Sequence, residues 1–521
     1  MQVDSRRRTA ATGETGHAIP DRLPVWAIIG IVLTLGAAVT LRFASRSDLW
    51  LDEALTANIA RVPLRDLPDA LRHDGAPPLY YALLHVWMLV FGTGDAAVRA
   101  LSGLIGVATL PLAYFAGRRL GGDDRQRREW IGWSLVLLLA ASPFAVRYST
   151  EVRMYSMTIG LVLLGYLAVM RALDRPSLGR VAGVAGVTAA LLYSHYWSMF
   201  LLAVVGAVFV WSAVSGPVAV RPAARRIVVG LVVGAVCFLP WFPVLISQLQ
   251  HTGTPWASAT ISLSIVVSTM SQFAGGRLIA GRLLLVVLVV LVVLALCGLA
   301  ARKRFGGSVR WVALVAVATL AFGLSVSFVA GSTYQVRYAA VMFPLVLMVA
   351  AFGLTLVRDL RVRSVVLVVA ILLGLFGGWR TVETQRTQAG AIAAAISKGA
   401  QRGDVVAYCP DQVAPSVSRM LQRSRGLRQY TFPASSVPLR VNWVDYADHV
   451  ERADPDRFVA ALLARAGTGS VWFVSSPGYL PFVDKCERVL GALSAARGAG
   501  PALVVADAGT FEHMGVVRFA P

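Results

Sequence analysis

Leu49-Trp50-Leu51-Asp52-Glu53 places two adjacent carboxylates directly after the first long apolar segment, Pro24 to Leu41. An apolar run of that length is sized to span a bilayer, so the acid pair falls at a membrane surface. Asp52 and Glu53 then have two readings. They are acids in the first turn of a helix over Ala54 to Ile59, where carboxylates suit the helix N-terminus, or they are chemistry-bearing groups at the membrane face. What the rest of the chain puts on that face decides between them.

Over 521 residues, 56% hydrophobic and only 15% charged, a mean hydropathy of +0.65 excludes an ordinary soluble enzyme and requires many membrane-spanning helices. The net charge of +21 raises nucleic acid as a partner. The arginines, however, sit in short loops between apolar runs and form no single stripe, a distribution that reports membrane orientation and leaves no nucleic-acid partner.

Apolar runs of roughly 17 to 25 residues give about eleven spans: 24–43, 97–117, 130–146, 156–171, 180–195, 198–214, 227–246, 281–300, 311–330, 338–356 and 364–379. Pro78 to Phe91 is apolar but short, carries His85 and follows Pro77-Pro78, and reads as a juxtamembrane or re-entrant helix. The positive-inside bias supports this choice. If Pro78 to Phe91 does not cross, the clusters at Arg118-Arg119, Arg125 to Arg128, Arg171 to Arg180, Arg221 to Arg226, Arg302 to Arg310 and Arg358 to Arg363 all lie inside, with Arg6-Arg7-Arg8 of the tail. If it crosses, they all lie outside.

The expected organisation is a cytoplasmic basic tail (1–23), a membrane domain (24–379) whose first outer loop is 44–96, and an extracytoplasmic domain (380–521). The tail is long and no small-residue cleavage site follows the first apolar run, so that run is expected to be retained as a helix and not removed as a signal peptide. After Trp379, strand-like pieces at Asp404 to Tyr408, Val471 to Ser475, Leu503 to Ala506 and Gly515 to Phe519 alternate with amphipathic stretches at Ala391 to Gln401, Val413 to Gln422, Pro455 to Arg465 and Lys485 to Ala496, which favours an α/β layer. The fold class is thus an all-α polytopic membrane bundle with a C-terminal extracytoplasmic α/β domain. Of four cysteines, Cys237 and Cys297 lie in apolar spans, while Cys409 and Cys486 are either an extracytoplasmic disulfide or two free buried thiols.

This orientation puts the polar residues on one face. The outer ends of the spans carry Asp52, Glu53, His73 and Asp74; Arg99; Arg147-Tyr148-Ser149-Thr150-Glu151-Val152-Arg153-Met154-Tyr155; Ser194-His195-Tyr196-Trp197; the loop Gln248 to Trp256; and Tyr334-Gln335-Val336-Arg337-Tyr338. Near the membrane core a charge costs roughly 2.5 to 3.5 kcal/mol, so arginines at span ends have a partner or reach the interface. Arg99, Arg147, Arg153 and Arg337 are candidates to hold a lipid phosphate, since a guanidinium fork pairs with phosphate oxygens; the plainer reading is snorkelling to headgroups. A carboxylate within reach of an acceptor hydroxyl can act as a general base. Asp52 is the candidate base, and Glu53 orients it or binds the acceptor. His73, Asp74, Tyr148, Tyr155, His195, Tyr196 and Tyr338 are candidate substrate contacts, the aromatics doubling as interfacial belt residues. Asp52, His73 and Asp74 match no metal-ligand spacing, so a divalent metal is an option without assigned ligands. Asp411-Gln412 reads as a helix start.

Trp50-Leu51-Asp52-Glu53, Asp74-Gly75-Ala76-Pro77-Pro78-Leu79-Tyr80-Tyr81, Ala97 to Ser102, Ser149 to Tyr155 and Val336-Arg337-Tyr338 together resemble the C-type (GT-C) glycosyltransferases, and among them family 39, the protein O-mannosyltransferase and aminoarabinose-transferase-like branch. The resemblance covers roughly Ala27 to Trp379. It implies a polyprenyl-phosphate-linked sugar donor, commonly mannose, an extracytoplasmic acceptor (glycolipid, polysaccharide or protein) and Asp52 as base. The family often has His-Pro-Pro before Leu-Tyr-Tyr where this chain has Ala76-Pro77-Pro78, so either His73 compensates or the acceptor differs. A lipid-linked sugar flippase or solute transporter is the alternative, but transporters carry ionisable groups near the midplane, whereas these spans are nearly free of charge. A scaffold binding envelope partners leaves the arginines and the acid pair without a role.

Overall fold

The computed structural model describes residues 24–253, 263–276, 278–301, 307–330, 334–422, 426–433, 437–478, 482 and 484–521. Among these, seven helices are long and apolar enough to cross a membrane: Asp95–Leu120, Tyr155–Asp174, Ser198–Ser215, Arg221–His251, Ile279–Ala300, Ser308–Val329 and Leu360–Glu383. The pair Arg125–Ala141 and Pro143–Ser149 adds an eighth span bent by 58°, and Val25–Leu41, Leu178–Ser194 and Phe343–Leu354 are shorter apolar helices. Each of the eleven apolar runs thus falls on helix, but among the described residues seven reach spanning length, or eight with the bent pair, against the eleven expected. Leu79–Phe91 is a 13-residue helix, about 20 Å long against a hydrocarbon core of about 30 Å, too short to cross upright.

The bend was not foreseen, and its cause is local. Pro143 lacks an N–H and cannot continue the preceding helix; Ser142 Oγ caps the new one by accepting from Ala145 N (3.3 Å). The carbonyls freed at the break are taken by buried Arg42, whose Nη1 donates to Ala140 O (2.9 Å) and Nη2 to Leu139 O (3.1 Å). Gly106 lets the helix Asp95–Leu120 close on the bent segment, because a Cβ there would lie 2.1 Å from Ser149 Oγ.

The last span ends at Glu383, and the first helix of the C-terminal domain is Ala389–Gly399. The domain holds one sheet of β1 (Val405–Cys409), β2 (Arg428–Thr431), β3 (Val471–Ser475), β4 (Ala502–Val504) and β5 (Gly515–Phe519), in the order β2-β1-β3-β5-β4. β2, β1 and β3 are parallel; β5 is antiparallel to β3 and to β4. Polar β2 was missed in the sequence, where Arg428-Gln429-Tyr430-Thr431 shows no apolar alternation. Cys409 and Cys486 are joined as a disulfide between β1 and the helix Lys485–Arg497.

The C-terminal domain sits on the acid-bearing helix Leu51–Ile59. Trp50 and Leu51 pack into the same apolar cluster as Val405, Phe432, Phe458 and Phe473, and at the other end Asn58 Nδ2 donates to Leu439 O (2.8 Å).

Candidate active site

Consecutive residues on a helix point about 100° apart, and Asp52 and Glu53 have opposite surroundings. Glu53 is fully buried. Arg99 grips it bidentately, Nε to Oε1 at 2.8 Å and Nη2 to Oε2 at 2.6 Å; Val152 N donates to Oε1 (3.1 Å), and Arg386 Nη1 lies 3.7 Å from Oε2. Burial alone pushes this carboxyl up, but the charge and hydrogen bonds of Arg99 win and hold it below the ordinary glutamate value. Two expectations are corrected here. Glu53 is sealed from any acceptor and does not orient Asp52, and the Arg99 guanidinium is occupied by Glu53 and by Ser47 O and Asp48 O, leaving it no reach toward a lipid phosphate. Arg147 belongs partly to the same network, with Nε on Glu151 Oε2 (3.0 Å) and its side chain 29% exposed.

Asp52 faces a more open space. Arg337 Nη1 donates to Asp52 Oδ2 at 2.8 Å, and the two side chains are 28% and 16% exposed. One turn further along the helix, Thr56 Oγ1 accepts from Arg153 Nη1 (3.0 Å). Arg153 Nη1 also lies 3.4 Å from the Tyr81 hydroxyl, which donates to Asp74 Oδ2 (2.5 Å). Burial raises the Asp74 carboxyl above its ordinary value against the opposing pull of Arg153. Among the described residues, the Nε–H groups of Arg153 and Arg337 and the Tyr155 hydroxyl are buried without a hydrogen-bond partner. Beside them the rings of Tyr148 and Tyr155 (4.7 Å between centroids), Tyr155 and His195 (5.5 Å), and His195 and Tyr338 (5.4 Å) form a continuous wall.

The structure therefore brings Asp52, Asp74, Arg153, Arg337, Tyr148, Tyr155, His195 and Tyr338 together. Two other candidates are engaged elsewhere. His73 is exposed and turned toward the C-terminal domain, its Nδ1 2.8 Å from Asn442 Oδ1 and its carbonyl accepting from Trp443 N (3.0 Å). The Tyr196 hydroxyl donates to Gln248 Oε1 and accepts from Trp241 Nε1 (3.0 Å), and Gln248 Nε2 reaches Leu71 O (2.6 Å); Tyr196 thus joins the helix Phe242–His251, which in turn holds the helix Leu67–Arg72. Trp256 lies outside the described residues. Among those described, no three of His, Cys, Asp and Glu converge as a metal set.

Sequence reasoning missed Arg386. It follows the last span, is 1% exposed, and donates from Nη1 to Thr150 O (3.1 Å) and from Nη2 to Thr150 Oγ1 (2.8 Å). Burial lowers its pKa to about 10, with Arg147 adding to the effect. Tyr81, Thr56 and Glu151 were also given no role; Arg153 reaches Thr56 and Tyr81 from a distant segment, while Glu151 pairs locally with Arg147.

No protein-family model matches the chain, and no curated protein sequence does. Solved structures do match. ArnT from Cupriavidus metallidurans bound to undecaprenyl phosphate aligns with a TM-score of 0.59 at 14% identity, over 95% of this chain and 98% of that one. Its apo state gives 0.59 at 16% identity over the same shares. The oligosaccharyltransferase AglB from Archaeoglobus fulgidus, in complex with an inhibitory peptide and a dolichol-phosphate, gives 0.51 at 10% identity, over 92% of this chain and 73% of that one. At such identities the likeness is one of fold, and it extends over both the membrane bundle and the C-terminal domain. The chain has the fold that these structures share, a polytopic helical bundle followed by a C-terminal domain.

Proposed function

We propose that this chain is an integral-membrane glycosyltransferase that moves a sugar from a polyprenyl-phosphate donor to an extracytoplasmic acceptor. The observation that carries the reading is the set of buried N–H and O–H donors without acceptors on Arg153, Arg337 and Tyr155, next to the carboxylate of Asp52. Unsatisfied buried donors are rare and call for an anionic or polar partner, and a phosphate beside a membrane is carried by a lipid. The structures of ArnT with undecaprenyl phosphate and of AglB with dolichol-phosphate support the same class of donor.

The chemistry follows from the arrangement. Asp52 accepts the proton of the acceptor hydroxyl as that oxygen bonds to the anomeric carbon. The bond from that carbon to the phosphate oxygen breaks on the opposite face, and the departing phosphate keeps the electron pair. Arg153 and Arg337 stabilise the charge it gains. Displacement in line inverts the anomeric centre. Arg337 touches Asp52 directly, so base and anion holder lie within one contact of each other. Arg147, the wall of Tyr148, Tyr155, His195 and Tyr338, and Asp74 are assigned to donor and sugar contacts. An extracytoplasmic site agrees with the basic inner loops and with the Cys409–Cys486 disulfide, which belongs in an oxidising compartment. Mannose is the sugar of first choice, on the family 39 resemblance; the acceptor is a glycolipid, a polysaccharide or a protein hydroxyl.

The test is sugar transfer by purified protein from synthetic polyprenyl-phosphate sugars. Asp52→Asn is expected to lower kcat by about 10² to 10⁴ with an unchanged melting temperature. Full activity in that variant removes Asp52 as base; vectorial movement of solute without bond cleavage favours transport.

A further inference from the structure

The helix Leu51–Ile59 begins without a side-chain cap of its own: its N-cap residue is Trp50, which offers no acceptor. A helix start leaves backbone N–H groups that need partners. Here the first is taken by the far end of the chain, with Glu512 Oε1 accepting from Leu51 N at 3.1 Å. Ser416 Oγ, on the helix Ala414–Leu421, reaches the same oxygen at 3.3 Å. Phe511 packs edge-on against Trp50, 5.1 Å between centroids. The backbone of Glu512 is itself fixed: its N donates to Arg386 O (2.8 Å) and its O accepts from Gln388 N (3.3 Å), and the Arg386 side chain holds Thr150 beneath the same helix. The residue after Leu51 is Asp52.

We propose that Glu512 is a positioning residue for Asp52: it supplies the missing cap of the helix Leu51–Ile59 from the C-terminal domain, so that the domain sets the place of the base relative to Arg337. This rests on the glycosyl-transfer reading above, with Asp52 as base. Burial raises the Glu512 carboxyl to about 8, against the opposing hydrogen bonds of Thr387, Leu51 N and Ser416. Glutamine has the same shape and keeps the accepting oxygen, so it is the close replacement for Glu512.

The experiment compares Glu512→Ala with Glu512→Gln in the full-length protein in lipid nanodiscs, with two readouts. In sugar transfer, Glu512→Ala is expected to lower kcat about 10- to 100-fold, the scale of an ångström-sized misplacement, with the KM for donor within twofold, and Glu512→Gln to restore kcat to within about threefold. In hydrogen exchange, Glu512→Ala should speed exchange at the amides of residues 51–56, while Glu512→Gln leaves them protected. Unchanged exchange and kcat in Glu512→Ala overturns the proposal, as does a raised donor KM at unchanged kcat or a Glu512→Gln variant as impaired as the alanine. Should wild-type protein transfer no sugar, the glycosyltransferase reading fails while the exchange readout still decides whether Glu512 caps the helix.

Discussion

Two ion networks lie side by side on the helix Leu51–Ile59, built from the same residue types and centred on adjacent carboxylates, yet one is sealed and the other accessible. Around Glu53 the side chains of Arg99, Arg386 and Glu53 itself are 10%, 1% and 0% exposed, and both carboxylate oxygens have cationic partners. Around Asp52 the pair with Arg337 is 16% and 28% exposed, and spare donors on Arg153, Arg337 and Tyr155 await an acceptor. Arg386 Nε is also without a partner, but no ligand can reach it. A filled, buried network joins segments of the bundle; the reachable one with surplus donors is the one assigned, in the proposed function, to an anionic group.

The largest effect expected from breaking this contrast is on stability. Glu53→Ala leaves Arg99 buried without its carboxylate, at a cost of about 3 to 5 kcal/mol, a large share of a domain's usual margin of about 5 to 15 kcal/mol. Folded yield and melting temperature in detergent measure it, and a wild-type melting temperature would place the two networks on an equal footing. Asp52→Asn should leave that temperature alone and act on rate.

A second comparison concerns how buried carboxyls are compensated. Glu53 has arginines and is held low, so its contribution to stability is present above the unfolded value and fades only as pH falls through the lower folded one. Asp411 has the Tyr446 hydroxyl, and burial raises it from 3.8 to about 7. Between those values the folded protein binds a proton that the unfolded chain has released. Stability from Asp411 therefore falls as pH rises from about 4 toward 7, and Asp411→Asn should flatten that part of the profile measured by thermal unfolding. An unaltered slope would mean that Asp411 is ionised in the fold.

The smallest effect is expected at His73. It is exposed and bound to Asn442, so His73→Ala should change stability by no more than about 0.5 kcal/mol and leave the transfer rate as it is. A large fall in kcat would return His73 to the substrate pocket.

The apolar helices, including the short one after Pro77-Pro78, and four of the five strands were legible, because each is written in a local run of apolar residues; the count of eleven crossings was not, since three of the runs fall on helices shorter than a span. The bend at Ser142-Pro143 was hidden by its apolar flanks, and β2 by its polar composition. The site was legible in part. Asp52, Arg153 and Arg337, which the structure brings together, stand in the sequence as charges at span ends, but the same signal flagged Arg99, whose partner Glu53 lies in another segment. Adjacent letters do not show that Asp52 and Glu53 point apart, and nothing local marks Arg386 or Glu512, whose roles come from tertiary pairing across hundreds of residues.

The most direct measurement is the affinity of purified protein for polyprenyl phosphate, the carrier left after transfer, compared among wild type, Arg153→Ala and Arg337→Ala. Each substitution removes charge-assisted hydrogen bonds of about 1.5 to 3 kcal/mol, so binding should weaken by roughly 10- to 150-fold with the fold intact. Undiminished binding in both variants would contradict the assignment of this cluster as the phosphate site.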